Sequence, residues 1–177
     1  MFRTIGIENY ADMEEAVACY ATRAGEKLRR QNGEAGGIYV YVRTNPNNDS
    51  PQYARGIGGN FTQPTANSFE LVAMAGRLLK EIFRDGFAYQ KAGVMLLEMR
   101  TAGETSGAVQ EGLFPADNKA DARNVKLMAA LDQINRQHGR GTLTIGAQGL
   151  DDRNWKLRSN HRSPRYTTRW DELPEAR

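Results

Sequence analysis

Few residues of this chain have the types and spacings that chemistry requires. Its two histidines, His138 and His161, do not stand at metal-ligand spacing from a cysteine or a carboxylate. Asp151 and Asp152 could hold a cation only if their carboxylates converged, and adjacent side chains on an extended chain point to opposite sides. No phosphate-binding loop, nucleophile elbow or dinucleotide fingerprint is present. We therefore expect no catalytic residue, no metal and no cofactor, and we interpret the chain as a binding module.

The composition sets broad limits on the class of protein. With 177 residues and a net charge of +3, the chain can form one domain with an appendage, and it weakly favours an anionic partner. The single cysteine, Cys19, falls among apolar positions of a predicted helix, so we expect a buried thiol in a reducing compartment. The chain contains neither an apolar run long enough to span a membrane nor a signal peptide, which favours a cytoplasmic protein without a membrane partner.

Hydrophobic periodicity predicts the elements that would position any binding residue. Residues 3–7 are typical of a short strand, and a helix follows from Asp12, with Glu15 completing a capping box and Gly33 ending the helix. The next strand alternates with a period of two, so one set of side chains faces the core and the other faces away. The core set is Ile38, Val40 and Val42, and the outward set is Tyr39, Tyr41 and Arg43.

Two further strands and a helix complete the predicted domain. Residues 45–51 are typical of a turn, residues 53–62 of an irregular strand, and residues 92–99 of a last strand. Before that last strand, Asn67 opens a second helix, which closes at Gly86. The order β-α-β-β-α-β predicts an α+β two-layer sandwich, with two helices on one face of a four-stranded antiparallel sheet. The other face is left for solvent or a ligand.

The rest of the chain follows a different pattern. A first domain over residues 1–101 is followed by residues 102–118, which lose periodicity and are typical of a linker. The C-terminal region, residues 119–177, begins with a predicted helix over residues 120–137. A short strand is predicted after it, over residues 142–145.

Four segments together resemble one family. Residues 3–6, Arg-Thr-Ile-Gly, resemble the start of the little-finger domain of Y-family translesion DNA polymerases, and residues 89–96 resemble its last strand. Residues 110–114, Gln-Glu-Gly-Leu-Phe, resemble the sliding-clamp-binding motif that ends in Leu-Phe. The tail, residues 163–174, is similar to the extreme C-terminus of the UmuC, MucB, ImpB and SamB subfamily. The resemblance implies a little finger plus a C-terminal region, without the domains that carry the metal-binding carboxylates of these polymerases.

The resemblance implies that the first domain lies along duplex or primer-template DNA and holds it by its backbone. Phosphates are bound by Lys, Arg, small hydroxyl groups and free backbone N–H groups, and such contacts carry no base identity. The residues nominated for DNA binding are Arg3, Thr4, Arg43, Thr44, Arg55, Lys91 and Arg100. The alternative is that several of them are solvated surface charges.

The linker motif is implied to dock onto a bacterial sliding clamp. Leu113 and Phe114 would fill an apolar pocket on the clamp, and the Gln110 side chain would hydrogen-bond beside it. Glu111 departs from the family's pattern, because an apolar residue is common at that position, and this change weakens the motif. The alternative is that Leu113 and Phe114 only pin the linker onto the domain.

The basic tail between Trp155 and Trp170 leaves two interpretations open. It contacts either nucleic acid or protein, and the resemblance implies RecA and the UmuD′ dimer as further partners. The residues concerned are Arg158, Arg162, Arg165, Tyr166, Arg169 and Trp170. Since Met95, Leu97 and Met99 would form an apolar outer strip, we also hypothesise that the C-terminal region folds back over the sheet.

Together these features predict a non-catalytic part of an SOS-type translesion DNA polymerase that binds the DNA backbone and docks onto the clamp. The alternative is a protein-interaction module that docks onto the clamp, RecA or UmuD′ without significant DNA binding.

Overall fold

A computed structural model describes residues 6–102 and 118–149, together with the single positions Trp155, Pro164, Arg165, Thr167, Arg169 and Asp171. The elements in chain order are α1 (Tyr10–Arg30), β1 (Gly33–Thr44), β2 (Ala54–Thr65), α2 (Ser68–Ile82), β3 (Tyr89–Thr101) and α3 (Asn118–Gln137), with a 3₁₀ turn at Gly146–Gln148. The fold class is α+β, as the hydrophobic pattern predicts.

Helix α1 begins and ends earlier than the sequence predicts. Asn9 is the N-cap, since its side-chain oxygen accepts a hydrogen bond of 2.9 Å from a backbone N–H of the first turn. Asp12 therefore lies within the first turn, and the predicted capping box of Asp12 with Glu15 is wrong. The predicted end at Gly33 is also wrong, because Asn32 takes the left-handed turn, with φ of 51°, and Gly33 already begins β1.

Helix α2 confirms the cap predicted at Asn67 but ends before the predicted closing residue, Gly86. The Asn67 side chain accepts a hydrogen bond of 3.0 Å from the Phe69 N–H. The helix ends at Ile82, and Gly86 takes a left-handed turn with φ of 84° before β3. The apolar side chains that α2 buries are Leu71, Val72, Ala75, Leu78, Leu79 and Ile82.

The described residues form three antiparallel strands in the order β2-β1-β3, so β1 is central. Of the strand predicted over residues 3–7, Ile7 forms an isolated antiparallel bridge with Tyr89, through hydrogen bonds of 2.8 Å in both directions. Residues 1–5 lie outside the described part. The predicted count of four strands is therefore wrong for the residues that the structure describes, where a single bridge stands in the fourth position.

Helices α1 and α2 cover one face of the sheet, which we call the inner face. Ile38, Val40 and Val42 of β1 are at most 1% exposed and belong to the core cluster. Cys19 of α1 is 2% exposed, as expected for a buried thiol. Because side chains alternate along a strand, Tyr39 and its outward neighbours on β1 project from the other face, which confirms the predicted alternation.

Two described residues that follow α3 pack on the helix layer. Ile145 and Trp155 are each 8% exposed and join the core cluster. The Trp155 ring meets the ring of Tyr20 on α1 edge to face, at a centroid distance of 6.1 Å, because α1 offers an apolar surface with an aromatic partner. Met95 and Met99 are 50% and 65% exposed. The described residues of the C-terminal region therefore do not cover Met95 and Met99, and for the tail residues outside the described part the hypothesis stays a prediction.

The strand predicted over residues 142–145 is also wrong. The Asn135 side chain of α3 accepts from the Leu143 N–H and donates to the Leu143 carbonyl oxygen, both at 2.9 Å. These bonds satisfy backbone groups that a strand would pair with a neighbour. Within the described residues, no helix combines the length and apolarity needed to cross a membrane.

Candidate nucleic-acid interface

The face of the sheet opposite the helices, which we call the open face, consists of rows of residues that lie directly across from one another. Opposed residues of antiparallel strands project to the same side of a sheet. Three adjacent rows of the register are Ala54, Arg43 and Lys91; Gly56, Tyr41 and Gly93; Gly58, Tyr39 and Met95. The open face thus changes from cations at one end, through tyrosines, to an exposed methionine.

Arg43 on β1 and Lys91 on β3 form the cationic end of the open face. They are directly opposed and both exposed. None of the ion pairs found among the described residues involves either of them. Like charges directly opposite destabilise a sheet by roughly 0.2–1 kcal/mol, so the pair favours an anion between or above the two side chains.

Tyr39 and Tyr41 lie along the sheet because glycines stand beside them on the outer strands. A Cβ atom at Gly56 would come within 2.0 Å of the Tyr39 hydroxyl oxygen, and one at Gly93 within 2.5 Å of the Tyr41 hydroxyl oxygen. Tyr39 therefore leans over β2, and Tyr41 leans over β3. This arrangement was not predicted from the sequence, although the signal was present as tyrosines two residues apart with glycines on both neighbouring strands.

The structure separates the other nominated residues from this pair. Arg55 is opposite Val42, which faces the core, so Arg55 projects from the inner side of the edge strand β2. Arg100 forms an ion pair of 3.3 Å with Glu34. Glu34 and Arg100 are opposed in the register and also belong to the inner side.

Thr44 does not belong to the open face. It is 4% exposed, and its hydroxyl donates to the Gln52 side chain at 2.8 Å and accepts from the Tyr53 N–H at 3.0 Å. The nomination of Thr44 as a surface hydroxyl is therefore corrected, because these bonds hold the turn between β1 and β2.

Several predicted site residues lie outside the described part of the chain. These are Arg3, Thr4, Gln110, Leu113, Phe114, Arg158, Arg162, Tyr166 and Trp170. Arg165 and Arg169 of the tail are described and exposed, and Arg169 forms an ion pair of 3.1 Å with Asp171.

On the inner side, Arg29 joins α1 to α3 and to the start of α2. Its guanidinium donates two hydrogen bonds of 2.7 Å to the Asp132 carboxylate, and two more to the Ala66 carbonyl and the Ser68 hydroxyl at 2.6 and 2.8 Å. Beside this contact lies a cleft of ≈ 860 Å³, which Arg100 also lines. Every donor of Arg29 named here is used within the protein, so this arginine holds the fold together.

The shifted titrations also belong to the helix layer and the inner side of the sheet. Burial raises the pKa of Tyr10, Tyr20 and Tyr89 above the ordinary 10.0, and for Tyr10 the Glu14 carboxylate adds to the effect. Within the described ranges, no three His, Cys, Asp or Glu side chains are grouped so that they could hold a metal ion. On the open face, Arg43 and Lys91 can attract an anion, and Tyr39 and Tyr41 present aromatic surface beside them.

Comparison with known proteins assigns the chain to a family. Residues 2–113 match the model of the impB/mucB/samB family C-terminal domain, and residues 125–176 match a model described as a domain of unknown function, DUF4113. The UmuC protein of Salmonella typhimurium is 38% identical over 168 residues, which cover 94% of this chain and 38% of the relative. The ImpB protein of Salmonella typhimurium is 35% identical over 166 residues, covering 93% of this chain and 38% of the relative.

The MucB protein of Escherichia coli is 36% identical over 171 residues, covering 96% of this chain and 39% of the relative. The chain thus spans 38–39% of the length of these relatives. The resemblance to UmuC, MucB, ImpB and SamB is confirmed, and the chain belongs to the impB/mucB/samB family through that family's C-terminal domain.

Proposed function

We propose that this chain binds DNA by its sugar-phosphate backbone on behalf of a UmuC-type translesion DNA polymerase, and that it is not a catalyst by itself. The observation that carries the proposal is the opposed pair of Arg43 and Lys91 on the open face. The pair repels when the face is empty and is neutralised when a phosphate lies against it. Contacts to phosphate carry no base identity, which suits a polymerase that travels over any sequence.

The other residues nominated for DNA binding differ in how strongly they are supported as DNA contacts. Arg3 and Thr4 stay in it on the strength of the sequence alone. Arg55 on the edge strand and Arg100 beside the cleft are peripheral, because both project from the inner side. Thr44 is not part of the proposal, since its hydroxyl is used in the turn.

Titration of a fluorescent primer-template DNA at two salt concentrations tests the proposal. Arg43→Gln with Lys91→Gln should weaken binding and lower the slope of log affinity against log salt by about 1 for each phosphate that the variant no longer neutralises. Arg77→Gln with Lys80→Gln is the matched control, because it removes two exposed cations from helix α2 on the other side of the sheet. Equal reductions in the open-face variant and the control, or no salt-sensitive binding at all, would contradict the proposal.

Clamp docking through Gln110, Leu113 and Phe114 is the second part of the proposed function. It is supported by the Leu-Phe motif within the predicted linker, residues 102–118, between the domain of residues 1–101 and the region of residues 119–177. Binding of the chain to a purified bacterial sliding clamp should be abolished by Leu113→Ala with Phe114→Ala. An unchanged affinity would remove the clamp from the proposal.

A protein-interaction module is the competing function. It would dock onto the clamp, RecA or the UmuD′ dimer, with the tail from Arg158 to Trp170 as the contact, and it would barely bind DNA. The Gln-Glu-Gly-Leu-Phe segment and the Trp-flanked tail favour it. The DNA titration separates the two functions, since only the first predicts salt-sensitive binding that depends on Arg43 and Lys91.

A further inference from the structure

The two tyrosines of the open face extend their rings over the neighbouring strands at the centre of the sheet. Tyr39 and Tyr41 lie on the central strand β1, two positions apart, which is roughly 6.6 Å along a strand. One ring leans over β2 and the other over β3, so the two rings extend to opposite sides of β1. Both residues are half-buried, which leaves part of each ring accessible from outside the protein.

Because glycine has no Cβ atom, Gly56 and Gly93 leave room for the two rings to lie over the outer strands. At Gly56 a Cβ atom would lie 2.0 Å from the Tyr39 hydroxyl oxygen and 2.5 Å from Cζ, which the ring cannot tolerate in its present position. A Cβ atom at Gly93 would lie 2.5–2.6 Å from three atoms of Tyr41, the hydroxyl oxygen, Cε1 and Cζ. Gly58, on the same face and strand as Gly56, would make only ordinary contacts, with Tyr39 Cδ2 at 3.6 Å. Gly56 and Gly93 thus have a geometric role that Gly58 lacks.

An aromatic ring that lies over the sheet beside a cation is suited to stack on a nucleobase that has a free face. Every base has a π-face that stacks on an aromatic ring, and the attached phosphate needs a cation close by. Arg43 and Lys91 occupy the row next to Tyr41, and Met95 is directly opposite Tyr39 with half of its side chain exposed. The open face therefore offers stacking surface, apolar edge and phosphate-binding charge within three adjacent rows.

We infer that the open face binds single-stranded DNA, with unpaired bases stacked on Tyr39 and Tyr41 and the connecting phosphates held by Arg43 and Lys91. The inference rests on the proposed function and narrows its substrate to the unpaired part of a primer-template. Paired bases in a blunt duplex stack on one another and present no free face to the rings. Phosphate contacts alone would favour the duplex, because its charge density is higher than that of a single strand.

Three probes of equal length test the inference: a single-stranded oligonucleotide, its abasic counterpart and a blunt duplex. The abasic strand keeps the phosphates and lacks the bases. The chain should bind the intact strand more tightly than the abasic strand by about tenfold for each stacked base. Tyr39→Leu with Tyr41→Leu should abolish that preference, whereas Tyr39→Phe with Tyr41→Phe should preserve it, because phenylalanine retains the π-face.

The glycines provide a second, independent variant. Gly56→Ala should displace the Tyr39 ring and reduce the preference for the intact strand, and Gly58→Ala should leave it unchanged. Thermal unfolding of each variant identifies any that fail to fold, and the tyrosine variants then carry the test.

The two proposals fail in different ways. Equal affinity for the intact and abasic strands, with no effect of the leucine variants, would overturn base stacking. In that case, salt-sensitive binding that still depends on Arg43 and Lys91 would support the proposed backbone function. If none of the three probes binds, both proposals are wrong.

Discussion

The two faces of the same sheet use residues of the same types for opposite purposes. On the inner side, Arg29 and Arg100 are each bonded to a carboxylate, Asp132 and Glu34 respectively. On the open face, cations oppose each other instead. The inner-face apolar side chains of β1 are fully buried under α1 and α2, whereas the open face carries glycines and half-buried tyrosines. The inner side therefore holds the fold together, and the open face is suited to meet something outside it.

The largest expected difference between the faces is in packing. Ile38→Ala removes a fully buried side chain from the inner face, and we expect the free energy of unfolding to fall by about 2–5 kcal/mol. Met95→Ala on the open face should cost less than about 0.5 kcal/mol, because half of that side chain is already exposed. Urea denaturation followed by circular dichroism measures both. Similar decreases at the two positions would show that the open face is covered in solution.

The next effect concerns the arginine that ties α3 to the domain. Arg29→Met should lower the free energy of unfolding by about 3 kcal/mol, because the Asp132 carboxylate, 14% exposed, is left without its partner. Combining Arg29→Met with Asp132→Leu should recover most of that free energy. The neighbouring Arg30 is the control, since its pair with Glu26 is exposed and contributes only about 0.3–0.5 kcal/mol. If Arg29→Met and Arg30→Met cost the same, Arg29 does not hold α3 in place.

Much of this fold was predictable from the local sequence pattern. The predictions that failed did so for physical reasons. Alternation along β1 correctly separated Ile38 from Tyr39, because burial on one face imposes a period of two. The cap at Asn67 was predictable because the asparagine precedes an apolar helical stripe. The cap at Asn9 was missed because Asp12 and Glu15 also fit a capping pattern. The predicted strand over residues 142–145 failed because the Asn135 side chain takes up its backbone bonds, a tertiary contact that no local pattern contains.

Tyr89, on the inner side of the sheet, should make the unfolding free energy depend on pH. Its hydroxyl donates to the Arg84 carbonyl and accepts from the Arg84 N–H, both at 2.9 Å, and the residue is 0% exposed. Tyr89→Phe should therefore cost about 1–2 kcal/mol of unfolding free energy at neutral pH.

Burial raises the pKa of Tyr89 above 10.0, although the hydrogen bond from Arg84 opposes the shift. The stabilisation that follows from this raised pKa is fully present below pH 10.0 and is lost as the pH rises through the pKa of the folded state. Between about pH 9 and about pH 11, the unfolding free energy should thus fall more steeply in the unmodified chain than in Tyr89→Phe. Parallel slopes would mean that Tyr89 ionises equally in both states.

The candidate site was less predictable than the fold, because its chemistry depends on which strands pair and in what register. Four strand cations cannot be told apart by sequence alone, namely Arg43, Arg55, Lys91 and Arg100. The register puts only Arg43 and Lys91 on the open face. The Arg100 partner lies 66 positions away in the chain, and the Arg29 partner 103 positions away. Neither pairing is visible in local sequence. The role of Gly56 and Gly93 was missed for the same reason, since each opposes a tyrosine only after the strands have paired.

The smallest expected effect also bears most directly on the comparison between the faces. Arg43→Gln or Lys91→Gln removes one of two opposed like charges, so the unfolding free energy should rise by about 0.5 kcal/mol at low salt. Arg100→Gln removes a charge that is bonded to Glu34 and should lower it by up to about 1 kcal/mol. Salt should shrink both changes, since each is electrostatic. A gain in stability together with a weaker affinity for DNA is expected only if these cations serve to bind a partner. A decrease in stability in Arg43→Gln would show that this cation supports the fold instead.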